Sequence, residues 1–123
     1  KLGVERTINT LLNMNKKVVI IGPIPEIGFD VPTINFISQL QGRNLDKLVT
    51  PTLAEFNARN MNAMSALNNV SEHKKVNIIY PSSLLCDSDI CIIKDSDELL
   101  YRDDDHLTVH GAMYLRIMFE ETL

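Results

Sequence analysis

No GDS and no GxSxG segment occurs in the chain, so the strand-to-helix turn that would present a serine nucleophile is missing from it. Ser38, Ser65, Ser71, Ser82, Ser83, Ser88 and Ser96 are all without flanking glycines between a strand end and a helix start. Ser82-Ser83 comes closest, and helix-cap or turn duty accounts for it better. Long apolar runs are lacking too. A bilayer span needs ~20 apolar residues, and the longest candidate, VVIIGPIPEIGF, is broken by Gly, Pro and Glu. There is no secretory leader and no initiator Met; Lys1-Leu2-Gly3 leads straight into a helical pattern, as in a processed, excised or truncated chain. Basic residues are outnumbered 12 to 16 by acidic ones, a net charge of −4. Non-specific nucleic-acid binding needs clustered Lys and Arg. Lys16-Lys17 and Lys74-Lys75 are single pairs suited to solvating helix ends, so nucleic acid is excluded as a partner.

Cysteine is scarce, with only Cys86 and Cys91 in CDSDIC. Their spacing rules out a CxxC redox motif, and two thiols are too few for zinc. Asp87-Ser88-Asp89 is good turn material between them. The pair reads equally as a small disulfide loop, which would mean an oxidising compartment, or as two reduced thiols.

What remains is an ordinary globular composition, 45% hydrophobic and 23% charged over 123 residues. It supports one domain, 1–123, with a modest core and no repeats, linkers or low-complexity segments. Ile8, Leu11 and Leu12 predict a short amphipathic helix over Glu5–Met14. VVIIG predicts a buried parallel strand. The GPIPEIGFDVP that follows, with three prolines in eleven residues, predicts a rigid loop. Thr33–Leu40 is compatible with a short helix. Thr50 as N-cap and Pro51 at the first helical position predict a long helix to about Ser71, with Leu53, Phe56, Met61, Met64 and Leu67 as its apolar stripe. VNIIYP predicts a second buried strand, joined to the first by a right-handed parallel crossover. CIIKDSDELLYRD predicts a hairpin turning at Asp95-Ser96-Asp97. Thr108 caps a last helix, Val109–Glu121, with Leu115, Met118 and Phe119 facing the core.

The stretch YRDDDHLTVHGA, Tyr101–Ala112, holds the chemistry. A histidine acting as general base needs a carboxylate on its second nitrogen, to fix the tautomer and stabilise the imidazolium. Asp103, three residues before His106, can fold under the ring, and Asp104 and Asp105 compete for the role; a solvated acidic turn beside a helix-flanking histidine is the bland alternative. His106 and His110 also form an i, i+4 pair of metal-ligand type, but His106 precedes the helix start and the two would not share a helical face. Asp103-Asp104-Asp105 fits a Ca²⁺ loop less well still, because the alternating ligands, Gly and terminal Glu are absent. His73, in SEHKK, reads as exposed at a helix C-terminus.

Taken in order, KKVVIIGPIPEIGFDVP, LLCDSDIC and LLYRDDDHLTVHGA resemble the C-terminal portion of the SGNH-like domain attached to membrane-bound acyltransferases. These proteins O-acetylate cell-surface polysaccharide such as lipopolysaccharide O-antigen. The resemblance runs from about Lys16 to Leu115. It implies an α/β fold of SGNH-hydrolase type, a flavodoxin-like three-layer α/β/α sandwich incomplete at its N-terminus. It implies that Asp103 and His106 are the Asp and His of a Ser-His-Asp triad, that Cys86 and Cys91 form a disulfide, and that the loop Gly22–Asp30 lies near the site. The implied partners are the N-terminal half of the SGNH domain, with its GDSH-like nucleophile segment, a transmembrane acyltransferase domain, an acyl donor and a polysaccharide acceptor. No cofactor or metal is implied. The implied location is the periplasmic side of the bacterial inner membrane. His110 departs from the family, where an aromatic residue is more usual.

Three readings follow: an acyltransferase fragment inactive by itself, a fragment of an SGNH esterase, and a non-catalytic remnant that binds glycan or a partner. A half-sheet would leave an apolar edge and faces uncovered, so the isolated chain is expected to be marginal or oligomeric.

Overall fold

The structure is a computed structural model that describes residues 2–44, 49–120 and 122. Helix α1 (Leu2–Asn13) leads to strand β1 (Val18–Ile21). Helices α2 (Val31–Leu40) and α3 (Leu53–Val70) then carry the chain to strand β2 (Val76–Ile79). The two strands pair in parallel, Val18 opposite Val76 and Ile21 opposite Ile79, and the helices supply the crossover that a parallel pair requires. A short helix α4 (Ser82–Leu85) follows, then a hairpin of β3 (Lys94–Asp95) and β4 (Glu98–Leu99). Helices α5 (Val109–Tyr114) and α6 (Arg116–Glu120) come last. No helix among the described residues is long and apolar enough to cross a membrane.

Two apolar clusters hold these elements together. Ile8 of α1 meets Val70 and Val76 over the small sheet. The larger cluster joins Ile27 of the loop after β1 and Val31 of α2 to Leu85, Ile93, Leu100, Tyr101 and Leu115. Burying each such aliphatic side chain stabilises by about 1.5–3 kcal/mol, so the second cluster fixes the segment that carries the acidic turn.

Several boundaries differ from the sequence reading. Helix α2 begins at Val31 rather than Thr33: the Asp30 side chain accepts from Thr33 N–H at 2.9 Å, and Pro32 sits in the first turn, where its missing N–H costs nothing. The long helix is capped by Thr52, not Thr50. Thr52 Oγ1 accepts from Glu55 N–H at 3.1 Å while the Glu55 carboxylate accepts from Thr52 N–H at 2.9 Å, so Pro51 lies outside the helix. The Thr52 contacts hold the Glu55 carboxyl below its ordinary range. Met61 is exposed, and the buried positions of α3 are Phe56, Leu67 and Val70. Strand β1 is only half covered, with Val19 38% and Ile21 55% exposed. The last helix breaks at Leu115, whose N–H reaches both Gly111 and Met113 carbonyls and tightens the turn. Its terminal residue, Glu121, lies outside the described residues.

Candidate acid–base site

The acidic turn is built by its own backbone. An antiparallel bridge pairs Tyr101 with Leu107, and Arg102 N–H donates to the His106 carbonyl at 2.9 Å. Inside this closed loop Asp103 Oδ1 accepts from Asp105 N–H at 3.1 Å and from His106 N–H at 2.7 Å. Aspartate favours this role because its short side chain reaches backbone donors two and three residues on. The same folding-under brings His106 Nδ1 to 3.1 Å from both Asp103 carboxylate oxygens. Asp105 Oδ1 lies at 2.7 Å from that nitrogen, so two of the three candidate aspartates meet the ring. Asp104 contributes its carbonyl, which accepts from Ile27 N–H at 2.8 Å. Val31 N–H points at the Asp103 carbonyl at 3.5 Å. The loop Gly22–Asp30 therefore rests directly on the acidic turn.

A neutral imidazole whose Nδ1–H donates to a carboxylate presents a lone pair at Nε2. No hydrogen bond or ion pair to Nε2 is made among the described residues, and the His106 side chain is 60% exposed. The ring is oriented on one side and solvent-accessible on the other.

The Asp103 carboxyl is held below its ordinary range, above all by His106 N–H; desolvation opposes this, and Asp105 N–H and the imidazole add smaller lowering effects. Asp87 is lowered likewise by Ile90 and Asp89 N–H groups in the loop between the cysteines. Both carboxyls return to their ordinary value near 3.8 in the unfolded chain. Their contribution is thus complete above that pH and is lost as pH falls through the depressed folded values. The urea midpoint is expected to drop as pH is lowered below 3.8, and the Asp103→Asn/Asp87→Asn double variant to drop less steeply. Parallel pH profiles for the two proteins would contradict this.

Helix α5 anchors the turn from its other end. Thr108 Oγ1 donates to the Leu99 carbonyl at 2.8 Å and accepts from Gly111 N–H at 2.9 Å, while Thr108 N–H donates to the Leu100 carbonyl at 2.9 Å. His110 turns away from His106: its Nε2 lies 3.3 Å from Asp95 and its Nδ1 3.2 Å from Glu98, tying α5 to the hairpin. The two histidines thus make separate contacts, as expected of a pair that does not share a helical face. Asp103, Asp105 and His106 offer donor atoms within 4.8 Å of one another, but the hydrogen-bonded turn accounts for their closeness without an ion. His73 is exposed, and Ser83 Oγ donates to the Tyr80 carbonyl at 2.8 Å, which is turn duty.

Two residues here were not legible as special. Gly111 packs α5 onto the Leu100 backbone. Tyr101 is fully buried, its hydroxyl has no partner among the described residues, and burial pushes the phenol up. An unpaired buried hydroxyl costs about 1–3 kcal/mol. Tyr101→Phe is therefore expected to raise stability by about 1 kcal/mol in urea unfolding; a loss of that size would mean that the hydroxyl is satisfied by ordered water.

Cys86 and Cys91 form a disulfide. The loop it closes clamps the start of α3, with Cys91 N–H on the Pro51 carbonyl at 2.9 Å and Leu53 N–H on the Asp89 carbonyl at 2.8 Å.

An oriented, open imidazole on an α/β scaffold fits the hydrolase-like class of α/β domains. The chain belongs to the family of SGNH domains fused to AT3 domains, whose family model matches residues 1–121. It is an acyltransferase-associated SGNH domain. No curated protein and no solved structure matches it significantly.

Proposed function

We propose that the chain, a single domain over 1–123, supplies the Asp and His of a Ser-His-Asp triad for acyl transfer to a hydroxyl of a cell-surface polysaccharide. The observation that carries this is the His106 ring, with Nδ1 3.1 Å from both Asp103 oxygens and Nε2 open. The serine and the oxyanion donors come from an N-terminal half of the domain. That half completes a three-layer α/β/α sandwich and covers the face of β1 on which Val19 and Ile21 are exposed. The family's AT3 fusion supports a transmembrane acyltransferase domain as the source of the acyl group. The disulfide supports an oxidising compartment, hence the periplasmic side of the bacterial inner membrane.

In the first half-reaction His106 Nε2 takes the serine proton as Oγ attacks the acyl carbonyl. Asp103 stabilises the imidazolium, and the proton passes to the departing group of the donor. In the second, His106 deprotonates a sugar hydroxyl, which attacks the acyl-serine; collapse releases the acyl sugar and returns the proton to serine. Water in place of sugar gives an esterase.

The test uses the full-length protein that contains this chain, assayed for transfer to polysaccharide and for hydrolysis of p-nitrophenyl acetate. Loss of both in His106→Ala supports the reading. His106-dependent hydrolysis without transfer supports the esterase reading. Activity indifferent to His106 leaves only a binding role.

A further inference from the structure

The pairing of β1 with β2 brings together two lysine pairs that lie far apart in the sequence. Val18 stands opposite Val76, and Val18 N–H donates to the Lys75 carbonyl at 2.9 Å. Lys16-Lys17 and Lys74-Lys75 therefore enter the sheet side by side, on backbones about 4.8 Å apart where pairing begins. All four lysines are exposed. None forms an ion pair among the described residues. The Lys75 ammonium donates to the Asn15 side-chain carbonyl, a neutral partner that leaves its charge intact.

Offsetting the C-terminal dipoles of α1 and α3, which end here, uses only part of this charge. Each dipole amounts to about half a negative charge, so four ammonium groups overcompensate. The last turns of both helices carry no charged residue, and Glu72 is the one carboxylate in the connections 14–17 and 71–75. Like charges directly opposite in a sheet destabilise it. The cluster thus costs the free domain stability, and an anionic partner relieves that cost. It forms in a chain whose net charge is −4, so a positive end is set against an acidic remainder.

Three observations select a lipid surface as that partner. Met14, two residues before Lys16, is 61% exposed. An apolar side chain among cations suits the headgroup region of a bilayer, where cations meet phosphates and apolar atoms reach the acyl boundary. The family's fusion to AT3 domains supports a transmembrane partner domain, which keeps this chain within reach of a bilayer. The disulfide supports an oxidising compartment, away from nucleic acid. The patch also lies at the opposite end of β1 from the acidic turn. The loop that leaves the far end of β1 is bonded to that turn through Ile27 N–H and the Asp104 carbonyl, at 2.8 Å. Four residues of strand, about 13 Å at ~3.3 Å each, stand between the two.

We propose that the end of the domain formed by Lys16, Lys17, Lys74 and Lys75 docks on anionic lipid headgroups and turns the Asp103–His106 turn away from the bilayer. The proposal goes beyond the acyl-transfer reading and does not depend on it.

The experiment places an environment-sensitive NBD label at Met14→Cys, and separately at Val109→Cys, in the full-length protein reconstituted in nanodiscs. The discs contain phosphatidylcholine alone, or equal parts phosphatidylcholine and phosphatidylglycerol, each with and without nitroxide-bearing lipid. At position 14, nitroxide-lipid quenching is expected in the phosphatidylglycerol discs and not in phosphatidylcholine alone. It is expected to fade between about 0.1 M and about 1 M salt, as the screening length falls from ~10 Å to ~3 Å. Lys17→Gln is expected to lower the docked-to-free ratio about fivefold, the size of one lysine at an anionic membrane. Replacing all four lysines by Gln is expected to abolish quenching, and replacing all four by Arg to retain it, an outcome that loss of folding would not give. At position 109 the label is expected to be quenched by aqueous iodide and not by the lipid. Lipid quenching at 109 instead of 14, quenching at 14 that ignores phosphatidylglycerol and salt, or a blue-shifted label at 14 that no lipid quenches would overturn the proposal. Shielding of position 14 from iodide by added DNA or acidic polysaccharide, without lipid quenching, would assign the patch to those polymers and overturn it equally.

Discussion

His106→Ala is expected to slow acyl transfer by the full-length protein about 10⁴-fold, some 5.5 kcal/mol of transition-state stabilisation. The ring has no substitute, because His110 is held by Asp95 and Glu98 and His73 is on the exposed turn between α3 and β2. The aspartates differ. Asp103 is fixed by two backbone N–H donors as well as the imidazole, so it is already ordered when the imidazolium forms. Asp105 approaches closer, at 2.7 Å, but is 50% exposed and free to exchange its contact for water. Asp103→Asn, which keeps an oxygen for the backbone donors, is expected to cost at least about tenfold more rate than Asp105→Asn. Groups that act as a unit are not additive, so His106→Ala/Asp103→Asn is expected to be no slower than His106→Ala. Transfer rates for the four variants check this, and a double variant much slower than His106→Ala would mean separate roles.

Gly111→Ala is expected to destabilise by about 3–5 kcal/mol, a large share of the 5–15 kcal/mol that holds a domain of this kind folded. A Cβ at this position would lie 2.2 Å from the Leu100 carbonyl oxygen, 3.0 Å from its carbonyl carbon and 3.2 Å from its Cα. These are backbone atoms and cannot rotate aside, so α5 must retreat. The retreat also strains the Thr108 bonds to the Leu99 and Leu100 carbonyls, each worth about 1 kcal/mol. Alanine's helix propensity returns at most about 1 kcal/mol, too little to offset the clash. Gly3→Ala is the matched control, because nothing lies within 4 Å of its added carbon. Urea unfolding is expected to leave the control near the parent protein and to bring the Gly111→Ala midpoint far below it. A Gly111→Ala midpoint equal to the parent's would refute the close packing.

Local chemistry was legible in the sequence where residues speak for themselves. Four β-branched residues marked β1, and VNIIYP marked β2. Asp103 and His106 could be paired because an aspartate three residues back reaches both the ring and the backbone of a tight turn. Capping was misread where two signals overlapped. Thr50-Pro51 resembles a helix start, yet Thr52-x-x-Glu55 is reciprocal and satisfies two donors at once. Prolines in the loop after β1 concealed that Pro32 belongs to the first turn of α2. Long-range facts were invisible. Spacing left the two cysteines open, and the family resemblance, not the residues alone, pointed to their disulfide. The closeness of Gly111 to Leu100 and the full burial of Tyr101 depend on which segments meet, and no local pattern reports that.

The most direct measurement is active-site labelling of the full-length protein with a fluorophosphonate, which phosphonylates a serine only when a base activates it. Rapid labelling of one serine N-terminal to this chain is expected, falling to background in His106→Ala. Labelling that is equally fast without His106 would show that the activating base lies elsewhere, and the chain would keep no part in the chemistry.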